Sequence, residues 1–161
     1  MLMSEKSIFK EIRRRDLLAL AGKAVVTVAS FGLLTNGASA DTAAVSKAIE
    51  KNIGGKSPQS GRVSLELPQI AENGNTVPIA VEVESPMTSG DYVKALHVYS
   101  EGNPQPDVAT FRFTPQSGKA RVSTRMRMIK SQNIIAVAEM SDGSVYMGKK
   151  AVKVTIGGCG G

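Results

Sequence analysis

Val63-Ser64-Leu65-Glu66-Leu67 and Val77-Pro78-Ile79-Ala80-Val81-Glu82-Val83 are the stretches that decide the fold. In both, a branched apolar side chain recurs at every second position, the period that sends alternate residues to opposite faces of a strand. Between them, Glu72-Asn73-Gly74-Asn75 has the chemistry of a turn. Further strands are predicted over 92–100, 108–114, 120–129, 134–140 and 144–156. Good turn formers separate them: Ser89-Gly90-Asp91, Glu101-Gly102-Asn103-Pro104, Gln116-Ser117-Gly118 and Asp142-Gly143. About seven short strands at this spacing predict an all-β chain folded as an immunoglobulin-like antiparallel β-sandwich.

Upstream of the first strand the period changes. Val45, Ala48, Ile49 and Ile53 fall on one face of a short N-terminal helix, with Asp41 or Thr42 as its cap and Gly54-Gly55 as its stop. Residues 1–40 have a different character. Arg13-Arg14-Arg15 precedes an apolar segment over 17–34, and Ala38-Ser39-Ala40 supplies the small residues of a cleavage site, so the mature chain is expected to start near Asp41. Arg14-Arg15-Asp16-Leu17-Leu18 resembles a twin-arginine export motif. Gly22, Lys23, Thr27, Ser30 and Gly32 dilute the apolar segment, which suits that route. An uncleaved anchor is the competing reading. Lys23 argues against it, because the charge-free run falls short of the roughly 20 residues a spanning helix needs. The expected organisation is a signal peptide over 1–40, a β-sandwich with its helix over 41–156, and a flexible tail over 157–161, in a periplasmic protein with no stable membrane insertion after cleavage.

Charge and composition exclude several function classes. Of the formal charge of +6, half lies in the leader, where six Lys/Arg face three acids. The basic balance is therefore weak grounds for a nucleic-acid partner. One histidine, His97, and one cysteine, Cys159, cannot build a zinc, haem or iron–sulfur site of the usual spacing, and no cofactor is expected. His97 is placed on a strand face with Val93, Ala95 and Tyr99, as a partly buried strand histidine. Arg121, Arg125 and Arg127 line one face of a predicted strand, as a solvated face or a protein contact. Met126, Met128, Met140 and Met147 alternate as core-filling residues rather than as copper ligands.

The chemistry is concentrated at the end: Val154-Thr155-Ile156-Gly157-Gly158-Cys159-Gly160-Gly161. A lone cysteine in an exported chain has no internal disulfide partner. Glycines on both sides leave the thiol on bare, permissive backbone. Three residues past Ile156 reach roughly 10 Å, enough for a thin tail to enter a narrow cleft in another protein. With an ordinary pKa of about 8.5 the thiol is mostly protonated at neutral pH, so activation falls to the enzymes that bind the tail. Three alternatives follow: a covalent carrier on Cys159, a structural domain dimerising through a Cys159 disulfide, and a thiol enzyme using His97 as base.

The chain resembles the SoxY family, the carrier subunits of the Sox thiosulfate-oxidising system. The resemblance runs through the twin-arginine-like leader, the helix closing on Gly54-Gly55, Ile70-Ala71-Glu72-Asn73-Gly74-Asn75-Thr76-Val77-Pro78, Ser85-Pro86-Met87 and the terminal Gly157-Gly158-Cys159-Gly160-Gly161. It implies that the chain catalyses nothing itself. Cys159 would be the attachment point for thiosulfate-derived sulfur, and Gly157, Gly158, Gly160 and Gly161 the swinging arm. It also implies a heterodimer with a SoxZ-like subunit. A c-type cytochrome would load the arm and a hydrolase would release sulfate from it. The participation of a sulfane dehydrogenase is left open.

Overall fold

The computed structural model describes residues 37–155. The leader over 1–36 and the tail over 156–161, with Cys159 and its glycines, lie outside the described residues. Among those described, one helix, α1 (Gly37–Ile53), is followed by nine strands. These are β1 (Gln59–Ser60), β2 (Val63–Glu66), β3 (Ile70–Ala71), β4 (Val77–Val83), β5 (Val93–Ser100), β6 (Asp107–Arg112), β7 (Ala120–Met126), β8 (Gln132–Met140) and β9 (Val145–Val154). The smaller sheet has the order β2-β4-β7; the larger runs β1-β9-β8-β5-β6, with β3 also paired to β9. The all-β sandwich expected from sequence is the observed architecture.

The two quoted stretches carry the smaller sheet. Val63 pairs with Val83 and Leu65 with Val81, while Ile79 and Val81 face Thr124 and Val122 of β7. Val77, Ile79, Val81 and Val83 are buried and pack against Leu96, Val98, Ile134, Ala136 and Ala138 of the larger sheet. Each such Val, Leu or Ile contributes about 1.5–3 kcal/mol through the apolar area it removes from water. Met126, Met128 and Met140 fill this layer, and Met147 packs at the edge of the second cluster.

The larger sheet is buried on both sides at its centre, where β5 and β8 read as nearly continuous apolar runs. Val45, Ala48 and Ile53 of α1 cover Tyr99, Ile135, Val137 and Val145 on its outer face. The Asn52 amide donates to the Tyr99 hydroxyl at 2.8 Å. Burial raises the Tyr99 phenol above its ordinary pKa, outweighing that hydrogen bond. The helix stops where Gly54 and Gly55 turn to φ +65° and +76°, and the Gly54 N–H closes a last bond on the Glu50 carbonyl. Its start differs from expectation. The backbone is helical from Gly37, and the Ser46 hydroxyl donates to the Thr42 carbonyl one turn back. Thr42 and Asp41 thus lie inside the helix and do not cap it. Nothing in Gly37-Ala38-Ser39-Ala40 breaks a helix that continues upstream.

Three further expectations are corrected. β1 and β3 are two-residue strands that run parallel to β9, so the sheet is not wholly antiparallel. A register shift between Val93 and Ala95 inserts Lys94 as an extra residue. Val93 therefore joins the inner core, while Ala95, His97 and Tyr99 keep the outer face. β7 ends at Met126 rather than 129, because the Met128 N–H bonds the Gly74 carbonyl instead of a strand partner.

Gly148 of β9 marks the closest approach of the two sheets. A Cβ built there meets Leu65 Cδ1 at 2.6 Å and the Val63 carbonyl oxygen at 2.8 Å. A Gly148→Ala variant is expected to lose about 1–3 kcal/mol of stability by overpacking. Chemical denaturation checks this, and an unchanged midpoint contradicts it.

Candidate functional site

The last strand is what holds the tail. β9 pairs with β8 along its whole length, from Gln132–Val152 to Glu139–Val145. At its far end Ile70 and Ala71 of β3 lie beside Lys153 and Val154. The Lys153 N–H donates to the Gln69 carbonyl at 2.9 Å and the Thr155 N–H to that of Ala71 at 3.0 Å. On the opposite side the Val154 N–H donates to Ser131 Oγ at 2.9 Å. Val154 also packs against the core. Hydrogen bonds on both edges and apolar contact beneath thus fix the backbone up to Thr155. From this root the chain has four residues to Cys159. At about 3.5 Å each they span at most about 14 Å.

That limit separates Cys159 from His97. Met147 is the β9 residue in register with Val137, which is itself in register with His97. Met147 lies eight residues upstream of Thr155, roughly 26 Å at the strand rise. The tail's reach is about half of that. His97 is also occupied. Its Nδ1 lies 3.0 Å from Thr110 Oγ1 and its Nε2 3.0 Å from Glu139 Oε1, and its ring stacks on Tyr99 at 6.3 Å. With 6% of its surface exposed it is a structural strand histidine, as its place in the sequence predicts. A His97→Ala variant is expected to lose about 2–4 kcal/mol, through a cavity and an unpaired Glu139. Loading of Cys159 should be unchanged in the folded fraction. A selective loss of loading at full stability would contradict this assignment.

The three arginines do not act as one patch. Arg121 forms a bidentate pair with Glu66, both contacts at 3.0 Å, and also bonds Glu82. The Arg121 hydrogen bond and charge hold the Glu66 carboxyl below its ordinary value, and the two carboxylates raise the guanidinium in turn. Arg125 is exposed on β7. Arg127 lies beyond the strand, where its carbonyl accepts from Asn103 Nδ2. Among the described residues no group of three His, Cys, Asp or Glu is placed to hold a metal, and no helix is long and apolar enough to cross a membrane.

The family model described as sulfur oxidation protein SoxY matches residues 49–159, more than two thirds of the chain. The chain belongs to the SoxY family. The match runs from the middle of α1 through β9 to Cys159, so the helix, the sandwich and the tail up to the thiol share one family pattern. A solved structure agrees: the sulfur carrier protein SoxY from Chlorobium limicola f thiosulfatophilum is 32% identical, at a TM-score of 0.61. The alignment covers 71% of this chain and 99% of that one. A superoxide reductase (neelaredoxin) from Ignicoccus hospitalis is similar at 19% identity and TM-score 0.52, covering 59% of this chain and 81% of that one. At that identity the likeness shows the sandwich alone. No curated protein matches this chain.

Sequence reasoning missed the anchoring of this SoxY tail. β3 is too short for any periodicity to register, and the Ser131 contact joins residues 23 positions apart. The one available signal was Leu67-Pro68, which ends β2 and frees the following residues to reach β9.

Proposed function

We propose that this chain is a periplasmic carrier that holds thiosulfate-derived sulfur covalently on Cys159 and presents it to partner enzymes. The observation that carries the reading is the family match extending to Cys159, together with a rigid strand end four residues before it. A fixed root and a glycine-flanked thiol divide the labour: the sandwich is gripped, and the tail enters the cleft. The related protein is a sulfur carrier by name.

In the first step the Cys159 thiolate forms a sulfur–sulfur bond with the sulfane sulfur of thiosulfate. Two electrons leave to a c-type cytochrome, and the product is an S-thiosulfonate. A hydrolase then uses water to cleave the bond to the sulfone sulfur. Sulfate and two protons are released, and a persulfide stays on Cys159. The carrier supplies the thiol and its placement; the partners supply the oxidant and the hydrolytic machinery. A SoxZ-like subunit completes a heterodimer. The test is thiosulfate labelled in its sulfane sulfur, incubated with the purified chain and the cytochrome. Label bound to the chain and released by a thiol reductant is expected; no bound label would refute the carrier reading.

Export follows from the leader. Replacing Arg14 and Arg15 with lysine is expected to strand a full-length precursor in the cytoplasm. Fractionation and immunoblotting check this, and normal periplasmic accumulation contradicts the twin-arginine route.

A further inference from the structure

Two large apolar side chains stand exposed among the described residues, Ile70 at 55% and Ile129 at 46%. Scattered exposed aliphatics are ordinary. These two are not scattered, because both adjoin the root of the tail. Ile70 is the register partner of Lys153 on β9. Ile129 lies between Met128, whose carbonyl sits against Gly74 beside Val154, and Ser131, which bonds Val154. Exposed cations share the area: Lys153 next to Ile70, and Arg127 two residues before Ile129. One exposed carboxylate, Glu72, lies there too.

Contour length says what must cover this surface. A partner that draws Cys159 to the floor of a cleft has at most about 14 Å of chain to work with. Its rim is then brought down on the residues around Thr155. We propose that Ile70 and Ile129, flanked by Arg127 and Lys153, form the docking surface for the enzymes that act on the tail. The matching mouth has an apolar seat ringed by carboxylates. The inference rests on the carrier reading above and adds where those enzymes grip. A small apolar contact also suits a carrier that must leave each enzyme in turn, because a large one would hold the product complex.

The test uses the full heterodimer, with the thiosulfate-coupling c-type cytochrome as partner. An Ile70→Ser, Ile129→Ser double variant is expected to lower kcat/KM for Cys159 loading at least tenfold. The loss should appear in KM, with kcat at saturation retained. Alkylation of Cys159 by iodoacetamide should keep its wild-type rate, because a small reagent needs no dock. An Arg127→Glu, Lys153→Glu variant should also raise KM and weaken its dependence on salt. Wild-type kcat/KM in both variants would overturn the proposal. So would release of the second subunit by the serine variant, which would assign the surface to the subunit interface. A Cys159→Ser control separates the two levels: if it still loads, the carrier reading fails, whatever the isoleucines do.

Discussion

A Cys159→Ser variant is expected to take up no sulfur from thiosulfate while unfolding at the wild-type midpoint. Serine keeps the shape of the side chain but removes the sulfur nucleophile, and its hydroxyl cannot form a sulfur–sulfur bond. Four residues separate the position from the last backbone bonds at Thr155, so the change should stay within about 0.5 kcal/mol of wild-type stability. Loading should fall to background, because the chain contains no second cysteine. Denaturation and loading assays on one preparation check both halves. Residual loading would mean that sulfur is held elsewhere.

Bulk beside the thiol should be nearly as damaging, for a different reason. Replacing Gly158 and Gly160 with valine keeps the sulfur but adds branched side chains and narrows the backbone on both sides of it. A cleft shaped for bare backbone then admits the tail poorly or holds it misplaced. A displacement of about 1 Å at a reacting centre can cost on the order of 100-fold. Enzyme-dependent loading and sulfate release should fall by about that factor. Reaction with iodoacetamide should stay near wild type. The ratio of the two rates in one variant is the informative quantity. If both survive the valines, the glycines are no steric requirement and the swinging-arm account fails.

Much of this fold was legible because its strands are long enough to repeat. The alternation over Val77, Ile79, Val81 and Val83 survives intact as β4, with all four side chains buried. The apolar stripe of α1 was equally plain, since Val45, Ala48 and Ile53 meet the sheet as their spacing predicts. What escaped depends on contacts between residues far apart in sequence. The shift at Lys94 moves Val93 to the other face, yet no local residue announces it. β1 and β3 exist only because β9 offers them an edge. His97 was legible as a strand histidine, but its Glu139 partner is 42 residues away. The candidate site shows the same division. The thiol and its glycines can be read from eight consecutive letters, whereas the root that holds them is built from β3, β9 and Ser131.

The central claim is that sulfur travels on Cys159. Intact-mass measurement with peptide mapping, on heterodimer loaded by the cytochrome with thiosulfate, tests it most directly. The account predicts added mass corresponding to a thiosulfonate group, converted by the hydrolase to a single added sulfur atom. Both should lie on the C-terminal peptide containing Cys159, and a thiol reductant should remove both. An unmodified chain after loading, or an adduct on any other peptide, would contradict it.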